Sequence, residues 1–190
     1  MTDAFTKYVE FAAIPNKEAE TIAETVFNQY ICRHGIMLET VTDNGREFRN
    51  KISKKLAELL KINQRFTTPY HPQCNAQVEK ANKTIAKYLR SFVDESTLDW
   101  ELYLMPLMFA YTTSVHSATK LSPHELTYGV PARTPLFSPD TQNHFYGETV
   151  ADDLTRRFQQ VRQLAYHNNM AYRDAYLVHA NKHCPTPLLR

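Results

Sequence analysis

The sequence predicts an α/β fold, and three observations predict it. Short apolar runs of strand length alternate with stretches whose apolar residues recur at helical spacing. One of those runs, Leu38 to Thr42, ends directly at an acid, Asp43, the end of a strand where α/β folds commonly carry chemistry. A proline-punctuated loop then leads into a long amphipathic helix that opens with a second acid, Glu79.

In chain order, Tyr8 to Ala12 reads as a short strand with Val9 and Phe11 on one face. Pro15-Asn16 breaks it and offers a helix N-cap. From Ala19 onward Ile22, Ala23, Val26, Phe27, Tyr30 and Ile31 recur at helical spacing, and Gly35 supplies the stop. That stripe is expected to be core against a sheet. Leu38 to Thr42 is the next strand. Phe48, Ile52, Leu56 and Leu59-Leu60 mark another amphipathic helix, and Ile62 to Thr67 a further strand.

Residues 68–76 form a loop with two prolines, and a helix follows from about Ala76 to Val93 with Val78, Ile85, Leu89 and Phe92 on its buried side. Helical material continues from Trp100 to Val115, where Trp100, Leu104, Leu107, Met108 and Tyr111 read as core or dimer-interface residues. Pro131 to Gly147 is rich in proline and turn formers. A core over 1–137, a linker over 138–147 and a helical extension over 148–190 are therefore expected. In the extension Val150, Leu154, Phe158, Val161, Ala165 and Tyr172 step along a long helix, whose end at 183–187 reads as frayed.

At 190 residues and 43% apolar content the chain can fill a core in one domain plus an appendage. A net charge of +2 says little by itself about nucleic acid. Three scattered cysteines, Cys32, Cys74 and Cys184, suit a reducing compartment and lack the paired spacings of a zinc site. No apolar run reaches membrane length and no signal-peptide pattern opens the chain, so a soluble, intracellular protein without a membrane partner is expected.

Asp43 and Glu79 are separated by 35 residues, one closing a strand and one opening a helix, an arrangement that suits a Mg²⁺ site handling phosphodiesters. Any two acids could be merely solvated; their flanks decide otherwise. Asp43 stands in Thr42-Asp43-Asn44-Gly45, the loop before Glu79 reads Thr68-Pro69-Tyr70-His71-Pro72-Gln73, and Asn82-Lys83 follow one helical turn later. Glu79, Asn82, Lys83 and Lys87 share one helical face, a carboxylate among cations. On an anonymous helix that would be a solvated ion-pair stripe; behind this loop it reads as a face for a phosphate backbone.

These motifs resemble the catalytic core of retroviral and Gypsy-type (Metaviridae) retrotransposon integrases. Phe5-Thr6-Lys7-Tyr8-Val9-Glu10 looks like the family's motif leading into a strand, and Trp100, Ala110-Tyr111, His116-Ser117-Ala118-Thr119, Ser122-Pro123-His124-Glu125-Leu126 and Tyr128-Gly129 follow its later landmarks in order. The similarity covers roughly residues 1–137. Ala76 departs from a usual glycine, and Cys74-Asn75 from a usual Thr-Asp.

The resemblance implies a ribonuclease-H-like fold and a Mg²⁺- (or Mn²⁺-) dependent polynucleotidyl transferase that trims the 3′-end of an element's DNA and joins it to target DNA. Asp43 and Glu79 would be catalytic metal ligands, in a family whose two ions clamp the attacking and leaving oxygens. Lys83 would grip the terminal phosphate with Asn82 beside it, and Tyr70, His71 and Gln73 would position DNA through contacts that carry little sequence information. DNA partners, a homo-oligomer and a nuclear location follow from the family. The family's first catalytic aspartate and first strand would precede Met1, so the chain is expected to lack both. Asp3 falls where the family places no ligand and reads as a turn former. Two functions compete: the core of an integrase, here an inactive fragment, and a non-catalytic DNA-binding or oligomerisation remnant of a decayed or domesticated element. A ribonuclease H proper is disfavoured by the integrase-like loop.

Overall fold

A strand needs a partner to satisfy its backbone, and the structure places partners at two of the three expected strands. It is a computed structural model that describes residues 1–67, 76–92, 100–135 and 148–182. The chain divides into two compact units, Met1–Thr2 with Glu10–Met108, and Asp3–Val9 with Phe109–Arg190.

In the first unit, α1 (Ala19–Thr25), a π-helical stretch (Val26–Ile31) and α2 (Cys32–His34) follow one another without a break. The N-cap is Glu18, without a side-chain cap bond, and not the expected Asn16, whose Oδ1 instead accepts from the Glu18 amide at 3.0 Å and from Thr21 Oγ1 at 2.8 Å and so shapes the entry to the helix. Gly35 ends the run at φ 86°, a conformation that costs a side-chain-bearing residue steric strain. Glu10 carries a side chain only 3% exposed, and that carboxylate receives His34 Nε2 at 2.8 Å and Arg33 at 3.5 Å, so the end of this helical run is latched to the segment before it.

β1 (Glu39–Thr42) pairs with β2 (Asn63–Phe66) in parallel, Glu39 opposite Asn63 and Thr42 opposite Phe66. A parallel pair needs a crossover, and α3 (Lys51–Leu60) supplies it. Asn50 starts α3 with its Oδ1 accepting the Ile52 and Ser53 amides at 2.9 and 2.8 Å. The helix packs on α1 and on β2. Arg65 reaches across to Glu39 at 2.9 Å, fixing the register at its charged face.

The strand expected over Tyr8–Ala12 is not formed: only an isolated bridge at Val9 is present, and residues 10–12 are irregular. The reason lies in the turn before it. Asp3 Oδ1 accepts from the Phe5 and Thr6 amides and from Thr6 Oγ1 at 3.2, 2.6 and 2.6 Å, and Lys7 turns through φ 64°. The chain thus folds back on itself, with the Asp3 amide donating to Tyr8 O, rather than running on as a ladder.

α4 (Ala76–Phe92) buries Ala81 and Ile85, with Val78 and Leu89 partly covered. α5 (Trp100–Thr113) buries Leu104, Leu107 and Met108, while Trp100, expected as core or dimer interface, is 40% exposed.

In the second unit a tight turn brings the His116 amide to Leu121 O at 3.0 Å, and α6 (Pro123–Tyr128) follows, a helix the periodicity did not indicate. Ser122 caps it through the Glu125 amide, Pro123 stands in its first turn and Gly129 ends it at φ 79°. α6 packs on α7 (Glu148–Lys182), whose Ala165 is fully buried. The expected apolar stripe of α7 is covered only near its middle, since Leu154 and Tyr172 stay 47% and 45% exposed. Asn168 and Asn169 of α7 donate to Thr119 O at 2.8 Å and Phe5 O at 3.2 Å. The expected linker at 138–147 and the frayed end at 183–187 lie outside the described residues.

Candidate metal and nucleic-acid site

Because β1 and β2 are parallel, both strands release the chain at the same end of the sheet. Asp43 leaves β1 there and Thr67 leaves β2, the Thr67 amide donating to Thr42 O at 2.9 Å. From Thr67 the chain enters 68–75 and then α4, so Glu79 stands only a short stretch downstream of the sheet end that carries Asp43.

Asp43 is exposed, and its Oδ1 accepts the Gly45 amide at 3.0 Å, an Asx turn that sets the carboxylate at a defined angle. Two further residues brace this turn. Asn44 Nδ2 donates to Thr67 O, and Asn44 Oδ1 accepts from Arg49 at 3.4 Å. Arg49 in turn lies 5.6 Å from the ring centre of Phe66 on β2. The sequence contained both residues, but their bracing role has no signature in spacing or composition.

Glu79 is exposed in the first turn of α4. Together with Lys80, Lys83, Thr84 and Lys87 it lines a shallow, open depression. Glu79, Lys83 and Lys87 of the expected stripe thus share one exposed surface, joined by Lys80, which the stripe did not include. Asn82 is exposed as well, beside this depression rather than in it. Among the described residues the depression is lined by α4 alone, and Asp43 is not in its lining. Tyr70, His71 and Gln73 lie outside the described residues.

Asp43 and Glu79 offer hard, exposed oxygen donors, the chemistry that Mg²⁺ and Mn²⁺ take, and Mg²⁺ is commonly held by one or two carboxylates with water completing its shell. Among the described residues no group of three or more His, Cys, Asp or Glu converges. Asp3 is not an idle third acid: one of its oxygens already receives three hydrogen bonds from its own turn. Also among the described residues, no helix is long and apolar enough to cross a membrane.

No family model matches the chain. Among curated proteins it is 32% identical over 130 residues to the retrovirus-related Pol polyprotein from transposon 412 of Drosophila melanogaster. It is 31% identical over 130 residues both to the Gag-Pol polyprotein of feline leukemia virus and to the Pol polyprotein of radiation murine leukemia virus (strain Kaplan). Each match takes in 68% of this chain but only 10%, 8% and 22% of the respective relative, so the chain spans less than a quarter of any of the three. Among solved structures it resembles the catalytic core domain of BIV integrase, with TM-score 0.55 and 23% identity over 66% of this chain and 81% of that one. It also resembles an intasome chain of simian T-cell lymphotropic virus, with TM-score 0.60 and 17% identity over 77% of this chain and 52% of that one.

Proposed function

We propose, for a chain homologous to retroviral and retrotransposon Pol polyproteins and built on the ribonuclease-H-like fold of the retroviral integrase catalytic core, a role in DNA integration. The reading is that of a Gypsy-type integrase core, evolved for 3′-end processing and strand transfer, in which residues 1–190 alone do not complete the reaction.

The observation that carries it is the pairing, on one exposed surface of α4, of a metal-type carboxylate, Glu79, with a phosphate-type cation, Lys83. Asp43 and Glu79 would hold Mg²⁺ or Mn²⁺, which when bound supplies Lewis-acid stabilisation of charge at phosphorus. Lys83 takes the terminal phosphate of the DNA end as a point charge. Asn82 sits beside it as a hydrogen-bonding neighbour. The loop residues Tyr70, His71 and Gln73 guide the strand through backbone contacts. Element ends and target DNA are the partners, and action on chromosomal DNA places the protein in the nucleus. A homo-oligomer is part of the proposal, supported by Leu102 and Met105 of α5, which are 72% and 50% exposed. So is the division into a core over 1–137, a linker and a helical extension.

Paramagnetic broadening by Mn²⁺ tests the site without any assay of catalysis. Amide signals next to Asp43 and next to Glu79 are expected to broaden together, and Asp43→Asn to weaken the effect at both places. Broadening at one acid alone, unaltered by changing the other, would overturn a shared metal environment. The second reading, a non-catalytic DNA-binding remnant, is favoured by one observation: Asp3, the acid nearest the start of the chain, is committed to its turn. Detectable joining of DNA strands by residues 1–190 would overturn that second reading, and with it the expectation that these residues alone do not complete the reaction.

A further inference from the structure

We infer that Glu47 is an outer partner of the metal proposed at Asp43: its carboxylate accepts hydrogen bonds from the metal's own waters and so tightens the hold at that end of the site. The inference rests on the metal reading above and adds a positioning residue to it, not a second site. Space is the first observation. The Glu47 side chain folds back over Gly45, so that a Cβ added at Gly45 would lie 2.7 Å from Glu47 Oε2 and 2.9 Å from Oε1, closer than such atoms approach. The backbone does not ask for glycine here, since φ is positive at Gly35 and Gly129 but not at Gly45. What glycine provides at this position is room for a carboxylate.

Reach is the second. The same Gly45 donates its amide to Asp43 Oδ1 at 3.0 Å. An amide nitrogen stands about 2.5 Å from the Cβ position of its own residue. Asp43 Oδ1 and Glu47 Oε2 are therefore no more than about 8 Å apart. Mg²⁺ takes oxygen ligands at about 2.1 Å, is commonly held by one or two carboxylates and keeps several waters. A metal on Asp43 and one of its waters reach an acceptor about 7 Å from the Asp43 oxygen. Glu47 stands within that range.

Free acceptor capacity is the third. Glu47 is partly covered, and two other acids withdrawn from full exposure have their oxygens engaged: Asp3 by its own turn and Glu10 by Arg33 and His34. Among the described residues no hydrogen bond or ion pair engages the carboxylate of Glu47; its backbone oxygen alone accepts, from Asn50. Glu125 shares that condition but belongs to the second unit. Arg49, two residues from Glu47, is turned instead to Asn44 and to the ring of Phe66. Asp43 has no ion pair among the described residues either. Two like charges this close disfavour each other, and a hydrated divalent cation between them offsets that cost.

The test is titration of residues 1–190 with Mn²⁺ alone, followed by paramagnetic broadening of the Asp43 amide signal, with hydrogen exchange of the Gly45 amide measured beside it. Glu47→Gln is expected to weaken Mn²⁺ binding by about tenfold, in the range usual for partners beyond the direct ligands, while Gly45 exchange stays as in the parent. Gly45→Ala displaces the carboxylate without removing its charge and is expected to weaken binding as well. Glu58→Gln, on α3, is expected to change nothing. If Glu47→Gln binds Mn²⁺ as the parent does while Asp43→Asn does not, Glu47 has no such role and the metal reading stands. If Asp43→Asn also binds as the parent does, both fall. Weaker binding accompanied by faster Gly45 exchange in Glu47→Gln would make the residue a support of the turn and overturn the inference. Parent-like binding by Gly45→Ala would overturn it too, by showing that the place of the carboxylate is immaterial.

Discussion

The guanidinium of Arg162 lies 4.6 Å from the ring centre of Phe5 and 5.2 Å from that of Phe158, so a residue of α7 is held between the N-terminal turn and its own helix. Asn169 donates to the carbonyl of the same Phe5 two helical turns later. The N-terminal turn is therefore part of the second unit and is fastened to α7 at two points.

Arg162→Ala is expected to destabilise that unit by about 1 kcal/mol, through the lost ring contacts and the packing of the side-chain stem. Arg162→Lys should lose less. Hydrogen exchange would show faster opening of the amides of residues 3–9, with β1 and β2 unaffected; equal acceleration in both units would count against a local fastening.

Lys7 is buried, at 7% exposure, with its ammonium donating to Ala4 O. Burial pushes its pKa below the ordinary lysine value, and the neighbouring Asp3 opposes that shift. Between the lowered native value and the unfolded value of 10.5 the unfolded chain binds the extra proton, so stability linked to this group rises as pH rises through that window and is lost as pH falls. Lys7→Met removes the linkage. Denaturant melts from neutral pH to 10.5 are expected to show the parent gaining on Lys7→Met; a constant difference would show that the group titrates alike in both states.

Asn44→Ala removes two hydrogen bonds that brace the turn carrying Asp43. At an exposed site the expected cost is about 1 kcal/mol. The distinguishing readout is local: the Gly45 amide, which donates to Asp43, should exchange faster, and Mn²⁺ binding should weaken, while the α3 amides keep their protection. Unchanged Gly45 exchange would show that the Asx turn stands without its brace.

Lys83→Glu places an anion in the depression beside Glu79. DNA affinity is expected to fall at low salt, by about tenfold or more, with little change in sequence preference, because the contact is to phosphate. Parent-like affinity across the salt range would remove Lys83 from the DNA surface.

Much of this was legible in the sequence because it depended on local rules. Leu38 to Thr42 and Ile62 to Thr67 are strand-length runs with turn formers beside them, and both became strands, trimmed to Glu39–Thr42 and Asn63–Phe66. The stripe of Glu79, Lys83 and Lys87 needs only helical periodicity, and the structure keeps it on one exposed surface. The features that were not legible depended on partners. Tyr8 to Ala12 has the composition of a strand, but the Asp3 turn folds the chain back before it, and composition cannot report that. Landmarks such as His116, Ser122 and Gly129 proved to shape the fold: His116 Nδ1 accepts the Ala118 amide, Ser122 caps α6, and a side chain at Gly129 would meet Phe158 at 2.8 Å. A short capped helix like α6 buries one or two residues, too few to produce a period.

The π-helical stretch Val26–Ile31 sets the angular phase of Cys32, Arg33 and His34. Its hydrogen bonds span five residues where an α-helix spans four, so the run from Ala19 to His34 carries a surplus residue relative to an unbroken α-helix. One residue is worth about 100° of rotation, enough to swing a side chain from the solvent side of a helix to its packed side. Arg33 and His34 lie just beyond the surplus, and both reach the carboxylate of Glu10. The stretch therefore works as a phase shifter, and the one-residue surplus that would look like an alignment error is what aims a guanidinium and an imidazole at a buried acid.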